Sequence, residues 1–233
     1  MLTRRHLVAL GLGASLLLAI GSAAGAKDAR IASVLVADVV LPVPKGYCAL
    51  NKENPADKEV ISSIEQVNAG RNTVLMTFAD CKQLQAFRTK GQDLSNYGSY
   101  LAPASARQPV KTPRAQFVAE FAKVFKQQKG LVDQAVEEAK RRVKAQNAGT
   151  EIEQNVNLGL LHSDETAVYT GVSQTWQVEG GGKTQVVTVS GLTLVRERVI
   201  SVNLSAPGNG KDAVNALLAV QRGIVKALIA ANY

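Results

Sequence analysis

The sequence contains few of the residues from which metal sites and catalytic centres are usually built. Its 233 residues include two Cys, two His, two Met and one Trp, and aromatic residues make up only 5%. It has no Cys-x-x-Cys pair, no Gly-x-Ser-x-Gly nucleophile turn, no complete phosphate-binding loop and no internal repeat. We therefore expect neither a cofactor nor a bound metal ion, and the sequence favours a protein that is not an enzyme.

The first 26 residues have the pattern of an export signal. Arg4 and Arg5 precede an apolar run over residues 7–20, and small residues lead up to a cleavage position at Ala26. We predict that the signal peptide, residues 1–26, is removed and that the mature protein is periplasmic. The apolar run is shorter than the about 20 residues of a membrane-spanning helix, although an uncleaved anchor is the alternative. Export would use the general secretion (Sec) route or, since the paired arginines resemble its motif, the twin-arginine route.

The two cysteines, Cys48 and Cys81, both lie in the part of the chain that would be exported. In an oxidising compartment two cysteines most simply form a disulfide. This one would close a loop of about 34 residues and stabilise the fold by roughly 3–4 kcal/mol. A metal-binding or thiol-exchange role has less support, because His162 is the only His after residue 26.

Residues 27–233 predict a single α+β domain without a further transmembrane segment. Asn54-Pro55 is the clearest helix start, because Asn caps free N–H groups and Pro suits the first helical position. Apolar residues then recur at helical spacing, which marks a buried face. Other predicted elements of the first half are strands over residues 33–41, 73–78 and 97–102 and a short helix over 81–87.

The second half predicts a helical hairpin over residues 112–146 and then a run of strands. From Ile152 onward apolar residues alternate with the period of a strand, and residues 179–182 have the composition of a hairpin turn. The last predicted elements are a strand over residues 199–204 and an amphipathic helix over 212–231. The apolar face of that helix suits packing on a sheet or, as an alternative, lying on a membrane.

Consecutive strands with short turns predict an antiparallel sheet with helices on its faces, an α/β/α sandwich. The stretch Leu192–Pro207, followed by a polar break and an amphipathic helix, resembles the PsbP-like fold, and Leu41–Cys48 is weakly similar to the first strand of that family. The resemblance implies a largely non-catalytic protein that supports a larger assembly. In such a fold the hairpin, within residues of about 105–147, would be an insertion.

Positive charge is concentrated in the same central stretch. Residues 105–147 carry ten Lys and Arg against four Asp and Glu, a net +6, which equals the +6 of residues 27–233 with their 25 bases and 19 acids. An exported protein rarely meets nucleic acid, so an envelope protein, anionic lipid or lipopolysaccharide is the expected partner; a merely solvated helix surface is the alternative. The candidate binding surface comprises Tyr97, Tyr100, Arg107, Lys111, Arg114, Lys140, Arg141, Arg142 and Lys144.

These observations favour a non-enzymatic accessory or binding protein of the periplasmic cell envelope. One alternative is a periplasmic hydrolase, because His162 is followed by Asp164 and Glu165 and could act as a general base. Another is a carrier that holds an apolar ligand between the sheet and its helices.

Overall fold

The computed structural model describes residues 39–104, 108–127, 134, 137–138, 141, 150–178 and 182–233. The predicted signal peptide, most of the first predicted strand and most of the second helix of the predicted hairpin lie outside these residues.

Seven strands and four helices are formed by the described residues. The strands are β1 (Tyr47–Ala49), β2 (Asn72–Asp80), β3 (Tyr97–Pro103), β4 (Thr150–Ser163), β5 (Val168–Val178), β6 (Lys183–Val195) and β7 (Arg198–Pro207). The helices are α1 (Pro55–Asn68), α2 (Cys81–Lys90), α3 (Arg114–Gln127) and α4 (Gly210–Ala230).

The seven strands form one sheet in the order β1-β2-β3-β7-β6-β5-β4, and every neighbouring pair is antiparallel. This confirms the predicted antiparallel sheet flanked by helices. The hairpin of β5 and β6 is also confirmed, since Gln177 pairs with Lys183 on either side of the glycine-rich turn. The central strands β3, β7, β6 and β5 therefore have a neighbour on each side.

Local capping chemistry determines where α1 begins. The side chain of Asn54 accepts hydrogen bonds from the backbone N–H groups of Ala56 and Asp57, and Pro55 occupies the first helical turn. The predicted apolar face of this helix is buried, as its periodicity requires. That face consists of Val60, Ile61, Ile64 and Val67.

Helices cover both faces of the sheet. On one face α4 buries Leu217, Ile224 and Leu228 in a cluster with residues of β3, β5, β6 and β7. On the other face α1 and α2 join a cluster that includes Tyr97 and Trp176. The same face receives α3, whose buried residues pack with Val168, Val172, Leu192, Leu194 and Val199. The first helix of the predicted hairpin thus contributes directly to the core.

The predicted strand over residues 33–41 is wrong where the structure describes it, because Val39 to Leu41 belong to no strand. The backbone of this segment forms hydrogen bonds with side chains and not with a neighbouring strand. The N–H of Val40 donates to Asn232 Oδ1 at 2.8 Å, and Asn232 Nδ2 donates to the Val40 carbonyl at 2.8 Å. The hydroxyl of Tyr100 donates to the carbonyl of Pro42 at 2.8 Å.

Helix α4 is the one helix in the described part of the chain that is long and apolar enough to cross a membrane, with 21 residues and a mean hydropathy of 1.5. This assignment depends only on the length and composition of the helix. In the structure its apolar side packs on β6 and β7, as the apolar residues Leu217, Val225 and Leu228 show.

Replacing Gly223 by Ala is expected to raise the free energy of unfolding by about 0.5–1 kcal/mol. Gly223 lies inside α4, its side chain position is open, and no heavy atom lies within 4 Å of an added Cβ. Alanine therefore gains helix propensity without a clash. The contrasting variant is Gly98→Ala, whose Cβ would overlap the Asn203 carbonyl and the Phe78 ring. Urea denaturation should show opposite signs for the two variants; a loss of stability in Gly223→Ala would contradict the open environment.

Candidate functional site

Two residues of the predicted binding surface, Tyr97 and Tyr100, are buried in β3, with exposed fractions of 3% and 0%. The prediction that both tyrosines belong to an exposed binding surface is wrong, whereas the strand predicted over residues 97–102 is confirmed as part of β3. β3 is a central strand between β2 and β7, and both of its faces are covered. Burial raises the pKa of Tyr100 above its usual range, so this hydroxyl stays neutral and serves as a donor inside the fold.

The basic residues of the predicted surface are only partly described. Lys111 is exposed. Arg114 is half-buried: its Nε donates to the Leu194 carbonyl at 2.8 Å, and its guanidinium lies 4.7 Å from the centre of the Tyr233 ring. Arg141 pairs with Glu138 at 3.0 Å. Thus two of the three described cations already have partners within the chain. The remaining members, Arg107, Lys140, Arg142 and Lys144, lie outside the described residues.

His162 lies near the end of β4, where it pairs with Tyr169 beside the polar turn that joins β4 to β5. Its Nε2 is 3.5 Å from Asp164 Oδ2, and the same carboxylate oxygen lies 3.3 Å from Arg222 Nη2 on α4. Asp164 also accepts backbone hydrogen bonds from Thr166 and Ala167, at 2.9 and 3.1 Å. Burial opposes its ionisation, but the hydrogen bond from the Thr166 hydroxyl, the two backbone hydrogen bonds and the Arg222 charge lower the pKa of Asp164 overall.

The contacts of Asp164 hold the turn against α4. A hydrolase that uses His162 needs a nucleophile within hydrogen-bond reach of its ring. Within the described ranges, His162 Nε2 has no hydrogen-bond partner. These ranges also contain no group of three or more His, Cys, Asp and Glu residues that could hold a metal ion.

The predicted disulfide is confirmed. Cys48 in β1 is bonded to Cys81, the first residue of α2, and their Cα atoms are 5.0 Å apart. The N–H of Cys81 also donates to the Gly46 carbonyl at 3.1 Å. The bond fastens the three-residue edge strand β1 to the start of a helix.

The most unusual feature of the sheet is a continuous row of small polar residues across five strands. In register, Thr77 of β2 pairs with Ser99 of β3, Ser99 with Asn203 of β7, Asn203 with Ser190 of β6, and Ser190 with Thr170 of β5. Paired residues of antiparallel strands present their side chains on the same face. All five are buried, with exposed fractions of 4–8%.

More polar residues extend this row on the same face, which is the face that α1, α2 and α3 cover. Thr188 pairs with Ser205, and Gln174 pairs with Asn155 on β4; Ser201 lies two residues from Asn203. We call the ten residues together the polar layer. Its members are Thr77, Ser99, Asn155, Thr170, Gln174, Thr188, Ser190, Ser201, Asn203 and Ser205.

Part of the polar layer forms hydrogen bonds within itself. The hydroxyl oxygens of Thr188 and Ser205 are 2.9 Å apart, and the Ser201 hydroxyl donates to Asn203 Oδ1 at 3.3 Å. These pairs stabilise the centre of the layer. The layer contains no ionisable side chain, so it has neither the acid and base needed for proton transfer nor the charge needed to hold an ion.

Other atoms of the layer have no hydrogen-bond partner among the described residues. They are both polar atoms of the Gln174 amide, both of the Asn155 amide, and the Thr77 hydroxyl. The indole Nε1 of Trp176, two residues along β5 from Gln174, is also unpartnered. Gln174 is 1% exposed and Trp176 is fully buried. Since buried polar groups nearly always have partners, the neighbouring side chains of Gln174, Asn155 and Trp176 are a candidate binding site.

Sequence reasoning did not find the polar layer. The alternation of Thr188 and Ser190 with apolar neighbours is visible, but such alternation is typical of a strand with one solvated face. Only the strand order shows that β6 is central and that both of its faces are covered. Two features of the sequence could have indicated the polar layer. Polar residues alternate with valines in several predicted strands, and the chain has enough predicted helices to cover both faces of a sheet.

Comparison with known proteins identifies no family for this chain. No protein-family model matches it, and no curated protein is significantly similar to it. The fold therefore defines it as an α+β protein with a helix-covered antiparallel sheet, and its resemblance to the PsbP-like fold stays a prediction.

Proposed function

We propose that this chain is a non-enzymatic binding protein of the periplasm, and that it holds a small uncharged ligand on the polar layer. The leader pattern of residues 1–26 supports export. The disulfide between Cys48 and Cys81 suits an oxidising compartment. The observation that carries the proposal is the buried Gln174 amide, which has no partner among the described residues.

The energy of an unpaired amide supports a binding role for this position. A buried polar group without a hydrogen bond costs about 1–3 kcal/mol relative to a paired one. Val or Ile would fill a buried strand position without that cost. The side chains of Gln174 and Asn155 are neighbours across β4 and β5, yet neither amide bonds the other. Amides that face the same interior and stay unpaired are suited to bonding a ligand.

The alternative functions have less support from the described contacts. A hydrolase that uses His162 needs a nucleophile bonded to the imidazole ring, and His162 Nε2 has no hydrogen-bond partner among the described residues. Asp164 already accepts hydrogen bonds from Thr166 and Ala167 in the turn and lies 3.3 Å from Arg222. An apolar ligand against the polar layer would leave its amides and hydroxyls desolvated and unpaired. A carrier of apolar molecules at this place is therefore disfavoured. Binding to an anionic surface through Arg114 has reduced support, because its guanidinium already bonds the Leu194 carbonyl.

Non-denaturing mass spectrometry of the mature protein, purified from the periplasm of its own host, tests the proposal. We expect a population heavier than the polypeptide, and we expect Gln174→Leu to lose this extra mass. The matched control is Gln116→Leu, the same chemical change on the exposed side of α3, which should keep it. Absence of extra mass in the unaltered protein, or its persistence in Gln174→Leu, would refute the proposed function.

The same variant is expected to be more stable than the unaltered protein when both are free of ligand. Leu has a similar volume to Gln and has no polar atoms to leave unpaired, so we expect a gain of about 1–2 kcal/mol in the free energy of unfolding. Chemical denaturation measures this gain and also shows that the variant folds. A loss of stability would mean that the Gln174 amide is already bonded within the folded chain.

A further inference from the structure

We propose that Asn209 is a site of spontaneous deamidation, and that it is the asparagine of this chain most prone to that reaction. Asparagine is among the chemically labile residues of proteins. Asn209-Gly210 is the only Asn-Gly pair in the sequence, and it lies between the end of β7 at Pro207 and the start of α4. Every other asparagine is followed by a residue with a side chain. This reaction needs no ligand at the polar layer.

Deamidation joins the backbone nitrogen of Gly210 to the side-chain carbonyl carbon of Asn209. The Gly210 nitrogen loses its proton and bonds Asn209 Cγ, the bond from Cγ to Nδ2 breaks, and Nδ2 leaves as ammonia with the proton that the backbone gave up. Solvent water then opens the resulting succinimide ring at either of its carbonyl carbons. Opening at Cγ gives aspartate in the normal backbone, and opening at the main-chain carbonyl gives isoaspartate.

The attacking N–H group is free of the hydrogen bond and the steric crowding that slow this reaction inside a helix. Gly210 is the first residue of α4, and the first N–H groups of a helix have no acceptor within it. The N–H of Gly210 also donates to no backbone carbonyl elsewhere in the described part of the chain. Gly210 has no Cβ, and no heavy atom lies within 4 Å of the place where one would be. The nitrogen is therefore open to ring formation.

The side chain of Asn209 is not bonded to the helix that it precedes. Asparagine in this position commonly accepts hydrogen bonds from the N–H groups of the first turn, as Asn54 does for α1. Asn209 makes no such capping hydrogen bond with α4, and its Nδ2 donates to Gln185 Oε1 on β6 instead. Both Asn209 and Gly210 are exposed, so water reaches the carbons of the ring.

Glycines on both sides of Asn209 allow the rotation that ring formation needs. Asn209 has an extended backbone, with φ −144° and ψ 167°, and its ψ must rotate to bring the Gly210 nitrogen toward Cγ. Gly208 and Gly210 have φ values of +144° and +71°, which residues with a side chain rarely adopt. Because both neighbours lack a Cβ, this rotation meets little steric resistance.

The products add a negative charge at a place where the fold favours one. The N-terminus of a helix carries a partial positive charge, so a carboxylate at residue 209 interacts favourably with α4. Aspartate with the normal backbone also preserves the connection between β7 and α4. Isoaspartate adds a carbon to the backbone at this connection, directly before the helix that packs on β6 and β7. The two products therefore differ in how well they position α4.

Peptide mass spectrometry of the folded protein, incubated at mildly alkaline pH in ¹⁸O-enriched water, tests the proposal. Trypsin releases residues 199–211, which contain Asn203 and Asn209, and residues 212–222, which contain Asn215. Deamidation adds about 1 Da in ordinary water and about 3 Da in the enriched water, so reaction during incubation is distinguished from reaction during digestion. We expect Asn209 to react about tenfold or more faster than Asn215, a difference of about 1.4 kcal/mol in activation free energy.

Asn215 is the matched control, because it is also exposed but lies inside α4, where the next residue's N–H is bonded within the helix. Asn209→Asp supplies the chromatographic standard for the product with the normal backbone. Gly210→Ala should slow the reaction both in the folded protein and in urea, since its methyl group crowds the attacking nitrogen in either state.

Incubation in urea shows whether the fold leaves Asn209 reactive. We expect the folded protein to deamidate at Asn209 at a rate close to that of the unfolded chain. If Asn209 reacts in urea but not in the folded protein, the fold protects it and the proposal is wrong. Equal rates at Asn209 and Asn215, or an unchanged rate in Gly210→Ala, would equally overturn it, because the Asn-Gly ring closure would not be the route.

Discussion

Replacing Arg88 by Met is expected to lower the free energy of unfolding by about 3–5 kcal/mol, because it leaves a buried carboxylate without its counter-charge. Asp57 is fully buried, and Arg88 Nε donates to its Oδ1 at 2.9 Å while Nη2 bonds its Oδ2. The backbone N–H of Asn51 donates to Oδ2 at 2.8 Å. Hydrogen bonding to Asp57 raises the pKa of Arg88, so the guanidinium is charged at neutral pH.

The control for this variant is Lys52→Met. Lys52 and Glu65 also form an ion pair, at 2.6 Å, but both side chains are largely exposed, at 65% and 40%. Exposed pairs contribute only about 0–1 kcal/mol. Urea denaturation of the two variants should therefore give a large loss for Arg88→Met and a small change for Lys52→Met. Similar losses would contradict the burial of Asp57 as the cause.

Removing the disulfide by the double change Cys48→Ala and Cys81→Ala is expected to lower the free energy of unfolding by about 3–4 kcal/mol. The two cysteines are 33 residues apart in sequence, so the bond restricts a long loop of the unfolded chain. It also fastens β1, which has only three residues and pairs only with β2. Without the bond, β1 depends on three register pairs with residues 78–80.

Thermal unfolding with and without a reductant separates this effect from a packing effect of the alanines. The unaltered protein should lose stability when the reductant is added, and the double-alanine variant should not respond to it. A variant that still responds would show that the reductant acts on something other than this bond. If the unaltered protein keeps its stability after both thiols have been alkylated, the disulfide does not stabilise the fold.

The helices were predictable because their signals are local. Asn54 and Pro55 are adjacent in sequence to the helix that they start, and the buried face of α1 follows from residues three or four apart. The disulfide was predictable because Cys48 and Cys81 are the only two cysteines. The residues that start and line the helix are close together in sequence, and two cysteines can form only one disulfide.

The polar layer and the burial of Tyr100 could not be predicted, because strand order decides both. Ser99 meets Asn203 through a pairing of strands that are about 100 residues apart in sequence. Tyr97 and Tyr100 are close in sequence to Arg107, Lys111 and Arg114, which predicts a shared surface, but the pairing of β3 with β2 and β7 buries both tyrosines. Periodicity shows which side chains of a strand share a face, but it does not show whether that face is covered.

A crystal structure of the protein purified from its own host tests the central claim most directly, because it shows what the Gln174 amide bonds. We expect density for a bound molecule larger than water within hydrogen-bond distance of that amide and extending toward Asn155. A Gln174 amide bonded only to water or to other residues of the same chain would contradict a binding function for the polar layer.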